Sequence, residues 1–145
     1  MFVAQEDGYW GGGTPDDNSP ALAPAEAVLL WSLRRLAPAI ATAGPMARCR
    51  VVEVTLIRQF GGRGQEIGVL LRCLAQLLVA GAVRPLQLGC PAMAALTADE
   101  TMLLHTLRSP EATPKSPLDD LLHPLRIPTA TRLLAMIATI SRTGA

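Results

Sequence analysis

Between residues 24 and 43, Leu29, Leu33, Leu36 and Ile40 return every three or four positions, the repeat of one buried helix face. Pro24 suits a first helical turn, where its missing N–H costs nothing, and Glu26 favours the positive end of the helix dipole. Pro38 is expected to kink this helix or end its regular part, and Gly44-Pro45 to close it. The next segment, 46–60 (MARCRVVEVTLIRQF), mixes two signals. Its "VVEVTLI" is rich in β-branched residues, yet Cys49, Val52, Leu56 and Phe60 fall on a helical stripe, so a helix is predicted there, ended by Gly61-Gly62. A third helix is predicted over 64–80, with Ile67, Leu70, Leu71, Leu74, Leu77 and Leu78 on one side and Gly81 as its stop.

The pattern then changes. "VRPLQLG" (83–89) reads as a short extended segment, which Pro85 confines to a sheet edge. After the corner Gly89-Cys90-Pro91, Thr97 and Glu100 form a capping box that opens a helix over 98–108 carrying Met102, Leu103, Leu104 and Leu107. Residues 109–116 are a polar loop. A short helix starts at Ser116-Pro117, with Asp119 and Asp120 at its positive end, and stops before His123-Pro124. A last helix over 128–141 places Leu133, Leu134, Ile137 and Ile140 inward. The sum is an all-α domain, a compact bundle of five or six helices with at most one short edge β element near 83–88.

Composition agrees with helices. Half of the 145 residues are hydrophobic and 17% are charged, but only five are aromatic (Phe2, Tyr9, Trp10, Trp31, Phe60), so Leu, Ala, Val, Ile and Met must fill the core. The length suits one domain, assigned to 21–145, preceded by a flexible acidic tail over 1–20 rich in Gly, Pro and Asp. Phe2, Tyr9 and Trp10 stand out in that tail, since aromatics there gain only by docking. The net charge is +1, unevenly spread: 1–20 carries Glu6, Asp7, Asp16 and Asp17 and no base. Residues 34–72 carry Arg34, Arg35, Arg48, Arg50, Arg58, Arg63 and Arg72 against Glu53 and Glu66. These arginines are either the solvated faces of core helices or a surface for an acidic partner or nucleic acid.

Cys49, Cys73 and Cys90 are odd in number and widely spaced, so no disulfide framework follows. The N-terminus does not read as a secretory signal, and the most apolar window, 69–83, contains Arg72 and Gln76 and is short for a membrane span. A cytoplasmic protein without a membrane span is expected.

Four places hold residues that could carry chemistry. The glycines of "GGRGQEIG" (61–68) lack the Lys-Ser/Thr of a phosphate loop and fit a helix–helix turn. His105 and His123 have no metal-ligand spacing with the cysteines, so neither metal nor cofactor is expected. Cys90 lies at a turn close to a helix that carries His105, the minimum for a thiol nucleophile, but no orienting residue or oxyanion donor is implied. Asp99 and Glu100 point in different directions on a helix and read as cap and dipole partners, not an acid/base pair.

The segments "LLWSLRRLA", "CRVVEVTLIRQFGG" and "LLRCLAQLLVAGAVRPLQLGCPAMAALTADETMLLHTL" together resemble a family of small uncharacterised alphaproteobacterial proteins. The likeness covers 28–108 and is most specific over 84–104; it implies no activity and no functional residue. Cys90-Pro91-Ala92 stands where Pro-Gly is more usual in that family. No enzyme activity is expected. The expected function is a regulatory or accessory protein–protein interaction module, with a protein partner or self-association. Helix positions beyond a single stripe mark its surface: Val28, Trp31 and Val69, rimmed by Arg34, Arg35, Arg58 and Arg72. Two alternatives come from other classes. One is a DNA-binding regulator using the 46–80 helix pair, and the other a cysteine-dependent enzyme at Cys90.

Overall fold

In the computed structural model, residues 21–110 and 117–143 are described, together with the backbone of residues 2–5. The helical stripes fold as the pattern predicts. Helix α1 spans Pro24–Ala43 and buries Leu29, Leu33, Leu36 and Ile40. The Glu26 carboxylate reaches back to accept from the Ala23 N–H at 2.9 Å, the half of a capping box that does not need a polar side chain at position 23. Of the two outcomes expected at Pro38, the helix does not end there; it continues to Gly44, whose φ of 92° is a conformation that side chains resist.

Helix α2 spans Arg50–Phe60, starting later than the expected residue 46, and buries Val52, Leu56 and Phe60. One 3-10 turn, Gly61–Arg63, leads directly into α3, Gly64–Gly81. The two helices fold back on each other at this turn. A Cβ at position 64 would sit 2.5 Å from the Leu56 carbonyl oxygen, and one at 68 would touch the Leu56 side chain at 3.4 Å. Twelve residues of straight helix would separate 56 from 68 by about 18 Å. The apolar stretch Arg50–Gly81 has the length and composition to cross a membrane, yet it is bent in the middle and is not one rod. Because no loop separates these helical segments, the count of five or six separate helices does not carry over, although the fold is mostly helical.

Helix α3 is central, packed along α1, α2 and α5, the last spanning Ile127–Thr143. Its Ile67, Leu71, Leu74 and Leu78 meet α1 residues such as Leu36 and α5 residues such as Ile137 in one core. Helix α4, Ala98–Arg108, packs on α5. The stretch 117–123 contains a 3-10 turn, Pro117–Asp120, and is clipped to the end of α3 by Val83 N–H to Leu121 O at 2.9 Å. Leu118, Leu121 and Leu122 are fully buried there.

The β element is a two-stranded parallel sheet. Strand β2 is Leu86–Gly89, within the expected edge segment, and its partner β1 is Phe2–Gln5 in register Phe2 with Leu86. The expectation of a mobile tail is thus corrected at these four positions: one edge of β2 carries unpaired backbone groups, and β1 satisfies them. The rest of that expectation, including Tyr9 and Trp10, lies outside the described residues.

Candidate functional site

Two places gather the residues that the sequence singled out. The first is the corner between β2 and α4. Along a strand, N–H groups of alternate residues point to the same side, and on the side away from β1 those of Gln87 and Gly89 meet the first turn of α4. Asp99 Oδ2 accepts from Gln87 N at 2.8 Å, and Glu100 Oε2 from Gly89 N at 2.8 Å. Thr97 Oγ1 donates to Gln87 O at 2.8 Å and accepts from Glu100 N at 3.1 Å, while Glu100 Oε1 accepts from Thr97 N at 2.9 Å. The side chains of the predicted capping box, besides closing the start of α4, therefore substitute for a neighbouring strand.

Each acid also holds a guanidinium. Asp99 takes both Nη atoms of Arg84, at 2.6 and 3.1 Å. Glu100, fully buried, receives Arg34 Nε at 2.8 Å and Nη2 at 2.9 Å, and the rest of the Arg34 fork donates to the carbonyls of Met93 (2.7 Å) and Ala95 (2.9 Å). Arg34 is only 4% exposed. A buried pair survives only when its remaining donors and acceptors are also satisfied, and here each oxygen of Glu100 accepts twice. Asp99 and Glu100 hold separate partners and form no acid/base pair, but only Glu100 caps α4; Asp99, expected to share that role, instead binds Gln87 N and Arg84. Gly89 leaves the space for this arrangement, since a Cβ there would collide with the Met93 sulfur and stand 3.0 Å from Arg34 Nη2.

Cys90 lies at this corner, half-buried, and His105 is exposed on α4. Among the described residues neither side chain has a hydrogen bond or ion pair. No group of three His, Cys, Asp or Glu among the described residues is placed to hold a metal ion.

The second place is the outer side of α2 and the groove it forms with α3. Opposite the buried stripe, Val51, Val54 and Ile57 are 52%, 39% and 52% exposed, and Val69 on α3 is 55% exposed. Arg50 and Arg58 flank this stripe with no ion pair among the described residues. The groove encloses about 210 Å³. Leu36, Val52 and Leu56 form its floor, Ile57 and Val69 its walls, and Gly64 and Gly68 keep it open by having no side chain. Arg48, Glu53 and Arg72 stand at its rim. Arg48 pairs with Glu53 at 2.5 Å, and this hydrogen bond holds the Glu53 carboxyl below its ordinary range. Among the described residues Arg72 hydrogen-bonds only the Pro45 carbonyl, at 3.4 Å, and its buried Nε has no partner, while its charge helps to lower the Glu53 carboxyl.

The expected surface is therefore divided. Val69 and Arg72 line the α2–α3 groove, and Arg58 is on the adjoining face. Val28, Trp31 and Arg34 line a different cleft, between α1 and residues 91–94. Trp31 is half-buried beneath Arg35, whose guanidinium lies 5.3 Å from the ring centre, a cation–π contact. Arg34 is corrected outright: it is no rim residue, because Glu100 and two carbonyls draw it inside. Missing from the expected set are Val51, Val54 and Ile57. Their signal is present in "VVEVTLI", where apolar residues occur at three positions outside the stripe Val52, Leu56 and Phe60.

No family model matches the chain, and no curated protein or solved structure shows significant similarity to it.

Proposed function

We propose that this chain is a small helical interaction module with a regulatory or accessory role, and that it binds through the outer face of α2 and the groove beside it. The observation that supports this reading is the stripe Val51, Val54 and Ile57, continued by Val69, on the solvent side of helices whose other sides are already buried. Four half-exposed side chains would gain about 1 kcal/mol each on being covered. That sum, near 4 kcal/mol, only matches the low end of the cost of association. A stable complex must therefore also engage the groove and its arginines.

A photo-crosslinking residue at position 54, compared with one at the exposed Arg132 on α5, tests the reading in the full chain. The expected result is a discrete product from position 54 alone. A mass of twice the chain marks self-association, and any other discrete mass marks a separate partner. Equal products from both positions, or none from 54, overturn it.

One observation favours a second reading, DNA binding by α2 and α3: the three-residue turn and the contact of Gly64 with the Leu56 backbone give a tight helix pair with Arg50, Arg58 and Arg63 outside. The exposed side of α3, however, offers Gln65, Glu66, Val69, Cys73 and Gln76, in which an acid and apolar groups displace base-reading ones. A band shift on random duplex DNA that weakens steeply with salt would establish this alternative, and no binding at low salt would remove it.

A further inference from the structure

The geometry points to a specific kind of occupant for the α2–α3 groove: a partner helix that inserts one bulky apolar side chain and presents an Asp or Glu one helical turn away to Arg72. This inference rests on the interaction reading above and adds the partner's chemistry to it.

Three observations carry it. The first is size and lining. A cavity of roughly 150 Å³ already admits benzene, so the groove, at about 210 Å³ with Leu36, Val52 and Leu56 below and Ile57 and Val69 beside, has room for a Leu, Ile or Phe side chain. The second is an unmet donor. Arg72 Nε is buried with no acceptor among the described residues, and burying a guanidinium N–H without one is costly. The outer Nη2 of the same guanidinium holds only a long bond, 3.4 Å, to the Pro45 carbonyl, and a carboxylate arriving from outside would supply a charge-assisted bond there. Glu53, the acid at the groove's rim, is already engaged by Arg48. The third is charge. Over 46–72 five arginines (48, 50, 58, 63, 72) face two glutamates (53, 66), a net of +3 on a chain whose total is +1. An acidic helix is favoured by that field and a basic one is opposed.

A helix suits the site better than a strand. The groove lies between two helices and presents side chains, not free backbone groups, and both edges of β2 are taken, one by β1 and the other by Thr97, Asp99 and Glu100. Helix-in-groove docking reads apolar anchors at one-turn spacing.

The test is a selection of displayed helical peptides, randomised on one face, against the immobilised full chain. Enriched peptides are then titrated against wild type, Arg72→Gln, Arg72→Lys and Ile57→Glu, each variant first shown by circular dichroism and thermal melting to be folded. The expected result is enrichment of Leu, Ile or Phe with Asp or Glu three or four positions away. Binding should weaken roughly tenfold or more in Arg72→Gln, with partial recovery in Arg72→Lys. Peptides that lose binding in Ile57→Glu but lack the acid, or ignore Arg72→Gln, overturn the inference and leave the interaction face standing. If no enriched peptide depends on Ile57, both fall. Equal selection of basic and acidic helices also overturns the inference.

Discussion

The β2–α4 corner and the α2–α3 face invert the usual placement of residue types, in opposite senses. At the corner, two acids and an arginine are inside, and every charge is matched: Glu100 by Arg34, Gly89 and Thr97, Asp99 by Arg84 and Gln87. On the α2–α3 face, valines and an isoleucine are outside, and Arg72 keeps a buried N–H unmatched among the described residues. A satisfied polar network fixes one arrangement of the elements around it, whereas an unsatisfied one together with exposed apolar surface has more to gain from a second molecule. The difference suits the first region to architecture and the second to the binding role proposed for it.

The same substitution at an arginine of each region gives the largest contrast. Arg34→Leu leaves the Glu100 carboxylate buried beside two orphaned carbonyls, and breaking such a pair costs about 3–5 kcal/mol. Arg72→Leu removes the unmatched N–H along with the charge and should change stability by less than about 0.5 kcal/mol. Urea unfolding midpoints of the two variants measure this directly. Similar losses at both positions would erase the distinction between the regions.

Two glycines of α3 sharpen it next. At Gly64 a methyl group would press on the Leu56 carbonyl oxygen and the Ile57 nitrogen, 2.5 and 2.7 Å away, and backbone cannot swing aside. Gly64→Ala should cost about 1–3 kcal/mol. At Gly68 the nearest atom is Leu56 Cδ1 at 3.4 Å, ordinary contact, so Gly68→Ala should stabilise the helix by up to about 1 kcal/mol. The same methyl group narrows the groove, so Gly68→Ala should also weaken binding of any helix seated there. A variant that gains stability and keeps full peptide affinity would show that the groove is not used.

The pair Glu26–Arg108 lies between the two extremes, partly exposed and well bonded. Arg108 Nε and Nη2 donate to the Glu26 carboxylate at 2.7 Å each, and these hydrogen bonds hold its pKa below the ordinary 4.5 against the opposing pull of burial. A carboxyl lowered in the folded state adds stability above its unfolded value and loses it as pH falls through the folded one. The stability difference between wild type and Arg108→Gln should therefore be largest near neutral pH and shrink below about 4.5. A difference that stays constant with pH would mean that the pair contributes by packing alone.

These regions differ in how much of them is legible along the chain. The stripes of α1, α3 and α5 and the Thr97–Glu100 cap are local patterns, set by residues three and four apart, and the structure repeats them closely. Arg34 bonded to Glu100 across 66 positions is not local. No periodicity shows which of two adjacent arginines turns inward, and that choice follows from where β2 and α4 meet. Strand β1 is hidden for the same reason, because parallel pairing of residues 2–5 with 86–89 has no turn between its strands to announce it. At the α2–α3 face the surplus of apolar positions on α2 is readable, but α1 shows a similar surplus, and only the packing reveals that its Val28 and Trp31 line a separate cleft.

The smallest effect on folding is expected at the place with the largest effect on association. Ile57 is half-exposed, on the wall of the groove, and Val54 faces outward one turn before it. Replacing an exposed residue on a helix surface changes stability by no more than about 0.5 kcal/mol, so Val54→Glu and Ile57→Glu should unfold at nearly the wild-type urea midpoint. A carboxylate in the middle of an apolar contact is another matter, since docking would strip its water and return nothing to replace it. Sedimentation of each variant alone, and titration with peptides selected on the wild-type chain, separate the two quantities. Loss of both stability and binding would mean that Val54 and Ile57 belong to the core. Loss of neither would leave their exposure without a use in binding.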